Sequence, residues 1–231
     1  MTGARPRQVR DALVLAGLLT WMVGSGCASF ASFKVPQTLP KGDQRILLGT
    51  AIDLNSLEET GYQPLPDITL GSRFGVSDDT DVGGRIAFMP LGRRVTTMTL
   101  EVSARRRLVK DASSGVVNVT LQPSLGYRWL SAGGTDGHIG DFSLPLITGF
   151  WLTPRNQLIV SPQVSLQLGH STGANPIWIP AAGGSLGWQF QQRPAQGFMI
   201  EASALYTPRG TEGTSGTVLM HVGVAILWTR R

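Results

Sequence analysis

The stretch that most restricts this chain is its last, Gly216 to Arg231. Every second residue from Val218 is apolar: Val218, Met220, Val222, Val224, Ile226 and Trp228. Between them stand Thr217, Leu219, His221, Gly223, Ala225 and Leu227, a smaller and mixed set that includes a histidine. Alternation sustained over about a dozen residues describes an extended strand with two unlike faces. Strands of soluble proteins average about 5–6 residues, and this one is twice that. A tilted strand crosses a bilayer with about 9–11 residues. In hydrocarbon its backbone must pair on both sides, so it belongs to a closed ring of strands.

The rest of the chain repeats the pattern. Strand candidates fall at 44–54, 65–76, 81–90, 95–108, 116–129, 138–152, 157–169, 177–190 and 198–207, so the closing stretch is the tenth. The fifth is the cleanest. Val117, Val119, Leu121, Leu125, Tyr127 and Trp129 oppose Asn118, Thr120, Gln122, Ser124, Gly126 and Arg128. No stretch beyond the first few dozen residues has a helical period. Pro123, Pro145, Pro162 and Pro180 fall inside strand candidates, where a missing N–H is awkward, and bulges are expected there. Gly is 29 of 231 residues, and many glycines lie within the alternating runs, as curved strands around a crowded interior require. The expected fold class is all-β: a single up-and-down antiparallel transmembrane barrel of about ten strands.

Two stretches echo each other, 74–82 and 150–158, each running from an aromatic residue through a short polar turn into a new strand. They stand four strands apart, so both turns belong to one end of the barrel. The connections 77–80, 109–115, 153–156 and 191–197 then share that end, and 55–64, 91–94, 130–137, 170–176 and 208–215 the other. Short turns mark the periplasmic end of such barrels and longer loops the outer end. Aromatic residues close the apolar face at both levels: Trp129, Phe142, Trp178 and Tyr206 at the loop end, and Phe74, Phe150, Trp188, Phe198 and Trp228 at the turn end. Interfaces favour such girdles. The other face carries Arg45, Asp53, Asp67, Arg73, Asp81, Arg85, Glu101, Arg105, Arg128, Asp141, Glu201 and His221. Nearly balanced signs suit a lumen whose buried charges pair.

The N-terminus reads as targeting. Arg5, Arg7 and Arg10 precede an apolar run, Ala12 to Val23, of the length of a signal h-region and too short to span as a helix. It ends in Gly24-Ser25-Gly26-Cys27, which resembles a bacterial lipobox; the resemblance implies lipidation at Cys27, the sole cysteine. Residues 1–26 are then a signal peptide of the lipoprotein type. Residues 27–43, with Pro36, Pro40 and Gly42, read as a flexible tether, and 44–231 as the barrel domain. Over 44–231 the strand patterning and turns resemble bacterial outer-membrane β-barrel proteins in general. That resemblance implies residence in the outer membrane, with outer-membrane lipids as partners and the N-terminus in the periplasm.

Charged residues are 15% of the chain, against about 25% in soluble domains. The formal charge of +5 falls to +3 once Arg5, Arg7, Arg10 and Asp11 leave with the signal peptide. The arginines are interspersed with acids and form no patch with stacking aromatics, so nucleic acid is not an expected partner. No catalytic constellation stands out. Asp78-Asp79 sits where a turn favours Asp for backbone reasons. Glu201 and His221 could form an inward acid–base pair, but a hydrogen-bonded lumen histidine is the plainer reading. His138, His170 and His221 lack metal spacing, and no cofactor is expected. Asn118-Val119-Thr120 is a sequon without meaning inside a spanning strand. Arg105-Arg106-Arg107 with Lys110 reads either as an anionic-headgroup contact or as a solvated strand end.

Barrels of eight strands are filled by side chains, and those of sixteen leave a channel. A ring of ten with lumen-lining Arg73, Arg85, Glu101, Arg105, Arg128, Asp141, Glu201 and His221 is expected to cross-link its own bore. The expected protein is an outer-membrane lipoprotein barrel, structural or a narrow pore for small solutes, and not an enzyme. Two alternatives stay open. One is a soluble periplasmic lipid-binding barrel. The other is an outer-membrane hydrolase with its site on the loops at 130–137, 170–176 or 208–215. Any transported solute and the oligomeric state are left undetermined.

Overall fold

The computed structural model describes residues 33–54, 66–88, 95–110, 117–132, 135–171, 177–193, 195–208 and 217–230. The leader and Cys27 lie outside them. The chain forms β1 (Gln44–Asp53), β2 (Asp67–Ser77), β3 (Thr80–Phe88), β4 (Val95–Lys110), β5 (Val117–Leu121), β6 (Ser124–Ala132), β7 (Thr135–Thr153), β8 (Asn156–Ser171), β9 (Ile177–Arg193), β10 (Gln196–Thr207) and β11 (Thr217–Arg230). Neighbouring strands pair antiparallel around the ring, β4 and β7 each pairing with both β5 and β6, and β11 closes on β1, with Gln44 opposite Arg230 and Asp53 opposite His221. No edge is left for lipid to meet.

β5 and β6 are two halves of one stave, so the eleven strands form a ring of ten. Leu121 faces Leu146 and Ser124 faces Ser143, which is a single register against β7. The interruption is chemical rather than geometric. Pro123 has no N–H to donate, although its carbonyl still accepts from Ala104 N at 3.1 Å. Gln122 N reaches the carbonyl of Pro145 at 3.1 Å. The bulges expected at these prolines are therefore not needed. The prolines sit in register and each costs the ladder one donor.

Several strands run longer than the alternation suggests. Ser77 pairs with Thr80, Thr153 with Asn156 and Arg193 with Gln196, so three hairpins at the turn end have two-residue tips. At the opposite end Ala132 pairs with Thr135. Most of the connection expected at 130–137 is thus strand. In the sequence the residues between Ala132 and Thr135 are Gly133-Gly134, a dipeptide favoured in two-residue hairpins.

The two faces point as the alternation requires. Leu70, Val102, Leu125, Val164, Trp178, Leu186, Val218 and Val222 are exposed on the outside, and Asp67, Asp81, Arg105, Gln157, Glu201 and His221 are buried inside. Aromatics stand at both ends of this coat, Phe74, Phe150, Trp188 and Trp228 near the turns and Phe142, Trp178 and Tyr206 toward the loops. An apolar belt around a polar bore is the signature of a barrel immersed in lipid.

The tether expected over 27–43 is not what residues 33–43 form. Phe33, Lys34, Val35, Pro36, Thr38 and Leu39 are buried, and they lie inside the ring. The segment enters at the turn end. Gly42 N donates to Gly75 O and Gly75 N to Asp43 O, both at 2.9 Å. Asp43 N donates to Pro40 O at 3.1 Å across a turn whose Gly42 has φ of 90°, a conformation that glycine adopts without strain. From that rim the chain, traced backwards, climbs to Phe33 between Gly49 and Gly223, about halfway up β1 and β11. Proline and glycine content alone reads as a flexible linker. Here the same residues remove backbone donors and make the turn that lets a buried segment join a strand.

Candidate functional site

Among the described residues, polar chemistry gathers in the lumen, and its walls differ. The wall from β1 to β7 is ionic. Asp81, near the start of β3, takes Arg73 of β2 at 2.7 Å and Arg105 of β4 at 2.6 Å. Arg73 also donates to Ser103 Oγ at 2.8 Å. One rung layer higher, Arg85 of β3 meets Glu101 of β4 at 2.8 Å. Toward the loop end Arg128 of β6 donates to Thr99 Oγ1 at 3.4 Å, and Asp141 of β7 lines the same cavity as Arg128. The wall from β8 to β10 is mostly neutral, with Gln157, Ser161, Gln163, Ser165, Gln167, Ser185, Gln189 and Ser203 facing in and Glu201 its one acid among the described residues. Buried charge is tolerable only when paired, and on the ionic wall it is cross-linked in the manner expected.

The inserted segment lies between these walls and is held chiefly by its backbone. Glu201 Oε2 accepts from Lys34 N at 3.0 Å, and Asp81 Oδ2 accepts from Leu39 N at 2.9 Å. Arg105 donates to the Val35 carbonyl and Thr120 Oγ1 to that of Pro36. Arg45 donates to the Gln37 carbonyl at 3.5 Å. Three side-chain bonds supplement these: Lys34 Nζ to Gln163, Gln37 Nε2 to Gln157, and Thr38 Oγ1 to the Asp78 carbonyl at 3.4 Å. Phe33 and Val35 also join an apolar cluster with Ile147, Ile159, Met199 and Leu227. The segment leaves two cavities of about 50 Å³ each, one toward the loop end beside Lys34, Arg128 and Asp141, the other between Phe33, Val35 and the Arg73–Arg105 wall. Each has room for a few waters and none for a larger solute.

All eight charged or histidine positions expected in the lumen, Arg73, Arg85, Glu101, Arg105, Arg128, Asp141, Glu201 and His221, lie on the inward face. The side chain of Asp53 lies outside the described residues. Glu201 and His221 do not stand opposite each other in the register: His221 stands opposite Ser203, and Glu201 opposite Gly223 with its carboxylate on Lys34 N. The run Arg105-Arg106-Arg107 does not act as one patch. Arg105 turns into the lumen, Arg106 is exposed, and Arg107 is tied to Asp79 and to the Asp78 carbonyl. Strand alternation splits any triplet in this way. Asp79 is thereby an ion-pair partner at a turn rather than half of a carboxylate dyad. Among the described residues no group of His, Cys, Asp and Glu is arranged to hold a metal.

The sequence reading missed the segment itself and the apolar part of the lumen. Ile147, Ile159, Met199 and Leu227 are inward positions occupied by large apolar side chains. A bore that carries such residues packs against something.

No family model and no curated protein matches the chain. Solved structures do resemble it. The translocator domain of the autotransporter NalP from Neisseria meningitidis aligns with a TM-score of 0.49 and 10% identity, over 97% of this chain and 96% of that one. The outer membrane protease OmpT from Escherichia coli aligns with a TM-score of 0.47 and 8% identity, over 84% and 98%. Ail, the attachment invasion locus protein of Yersinia pestis, aligns with a TM-score of 0.29 and 14% identity, over 82% and 99%. At these identities the likeness concerns fold alone, and the closed ladder of ten staves stands without it.

Proposed function

We propose that the protein is a non-catalytic barrel of the bacterial outer membrane, lipid-anchored through Cys27, whose bore is held shut by its own residues 33–39. It serves as a structural element, and it passes small polar solutes only when that segment yields. Its partners are the surrounding lipids. The observation that carries the reading is a polar lumen filled by Phe33 at 3% and Leu39 at 1% exposure inside an apolar-coated ring. The neutral wall supports a path along β8 to β10, because Ser161 Oγ and Ser185 Oγ face inward with hydrogen-bonding capacity that no protein group takes up. The outward apolar face speaks against a soluble lipid carrier, which would turn that face inward.

Planar-bilayer recording tests this. The full chain is expected to show little conductance, and the double variant Phe33→Asp, Val35→Asp, still migrating as a folded barrel on unheated gels, is expected to conduct steadily. Equal conductance in both defeats the self-closed pore. Labelled palmitate taken up by the wild type and lost in Cys27→Ala tests the anchor separately.

A further inference from the structure

The bonds that hold residues 33–40 have a feature that simple packing would not produce. Five wall side chains, Glu201, Arg105, Thr120, Arg45 and Asp81, bond the backbone of five consecutive or near-consecutive residues, Lys34, Val35, Pro36, Gln37 and Leu39. Both buried carboxylates go to amide hydrogens, and both arginines and the threonine go to carbonyls. The wall therefore presents acceptors and donors in the order in which this non-helical segment, bent at Pro36, presents donors and acceptors. Backbone is common to every peptide, so these five bonds do not depend on which side chains stand at the Lys34 and Gln37 places.

The shape agrees. A Cβ on Gly49 would lie 2.6 Å from Phe33 Cε2, and one on Gly223 would lie 2.8 Å from Phe33 Cζ. A Cβ on Gly149 would strike Pro36, and one on Gly75 would strike the Pro40 carbonyl. These four glycines, three on the adjacent strands β2, β1 and β11 and one on β7, clear space for one chain along the segment. Pro36 supplies no N–H and is buried at a bend of the segment, so an occupant with proline at that place leaves one donor fewer to satisfy in the bore. The cleared space is also directional. Its occupant runs with Phe33 at mid-barrel, beside Gly49 and Gly223, and the residues that follow descending to Pro40 at the turn rim, beside Gly75.

We propose that the lumen is a receptor site for a non-helical, proline-containing peptide recognised largely through its backbone, and that residues 33–40 are its resident occupant. The inference rests on the reading of the segment as the closure of the bore, and it goes further in assigning the bore a ligand class. What the ring holds in cis it can hold in trans, in one orientation and with little regard to the side chains at the Lys34 and Gln37 places.

The test keeps the full chain until it has folded. A specific protease site is inserted at the exposed Lys41-Gly42 rim, the barrel is folded in detergent, and the site is then cut. The same measurement on wild type nicked by trypsin after Lys41 covers the case in which the insertion disturbs folding. The probe is a dye-labelled peptide with the sequence of residues 33–42. The expected result is exchange of the cut segment for one labelled peptide per barrel, followed by fluorescence anisotropy. Alanine at the Lys34 and Gln37 places should change its affinity by less than about tenfold. N-methylation at the Lys34 and Leu39 amides, which strips a hydrogen bond from each buried carboxylate, should weaken it by about 100-fold or more. The peptide in reversed sequence should not compete. The proposal is overturned if the cut barrel never exchanges its segment for excess probe, or releases it and binds none. It is equally overturned if side-chain replacement abolishes binding while N-methylation leaves it intact. Conductance of the cut barrel is read in parallel. Cut barrels that conduct but bind no peptide leave the self-closed pore standing without the receptor. Barrels that bind peptide but conduct in neither state leave the receptor without the pore.

Discussion

Asp81 ties together more of the lumen than any neighbour on its wall. Its carboxylate takes Arg73 and Arg105 and also the amide of Leu39, so the ionic wall and the inserted segment share one side chain. Its side chain has no exposure, and Arg105 has 1%. Removing one member of such a set leaves charge buried without its partner, which costs about 3–5 kcal/mol. Asp81→Ala is therefore expected to lower the unfolding midpoint in denaturant, in detergent micelles, by that order. Asp79 offers the contrast. It is also paired with an arginine, Arg107, but its side chain is 64% exposed at the turn. Exposed pairs contribute at most about 1 kcal/mol, and Asp79→Ala should move the same midpoint little. Equal effects at the two sites would mean that the network around Asp81 is as wet as the turn.

At the scale of elements, strands and inserted segment were legible to very different degrees. The strands have a period, and period 2 survives single exceptions. Ten staves, the two-residue turns at Asp78-Asp79 and Pro154-Arg155, and the inward placement of Arg128 and Glu201 all follow from reading alternate residues. Residues 33–43 have no period. Their prolines and Gly42 are the residues of a linker, and composition cannot say whether a linker lies in water or inside a ring that closes much later in the sequence. The clue lay on the strands: Ile147, Ile159, Met199 and Leu227 put bulk on the inward face, while Gly49, Gly149 and Gly223 put space there. Bulk and space in one bore imply an occupant. Phe33 belongs to that occupant and is 3% exposed, and truncating a buried phenylalanine costs about 3–5 kcal/mol. Since about 1.4 kcal/mol is tenfold in population, Phe33→Ala should raise the open fraction of the segment by two to three orders of magnitude at least. Lys34, buried in the bore, reports this directly. Tryptic cleavage after Lys34 should speed up correspondingly while the barrel still migrates as folded. Unchanged cleavage would mean that the segment is held by its polar bonds alone.

For the whole molecule the question is what surrounds the coat. The closed ladder satisfies strand backbone from within, so the exterior is free to be as apolar as its surroundings. Val102, midway along β4, is 62% exposed, and Leu152, at the turn end of β7, is 54% exposed. By exposure alone the two are equivalent, and in water a charge at either place would be harmless. In a bilayer they differ by depth. A charged side chain on the lipid face costs about 2–4 kcal/mol at the midplane and about 0–1 near the interface, where it reaches headgroups and water. Val102→Arg should therefore destabilise the barrel in phospholipid vesicles by about 2–4 kcal/mol, and Leu152→Arg by no more than about 1. Reversible unfolding in denaturant, with vesicles present, measures both. The sign of the first value separates the two environments: a soluble barrel would lose nothing from Val102→Arg and would become less prone to aggregate. The difference between the two values reads depth as well, because Arg at both positions adds the same charge, and the one-methylene difference between Val and Leu is small beside the change in distance from the bilayer centre.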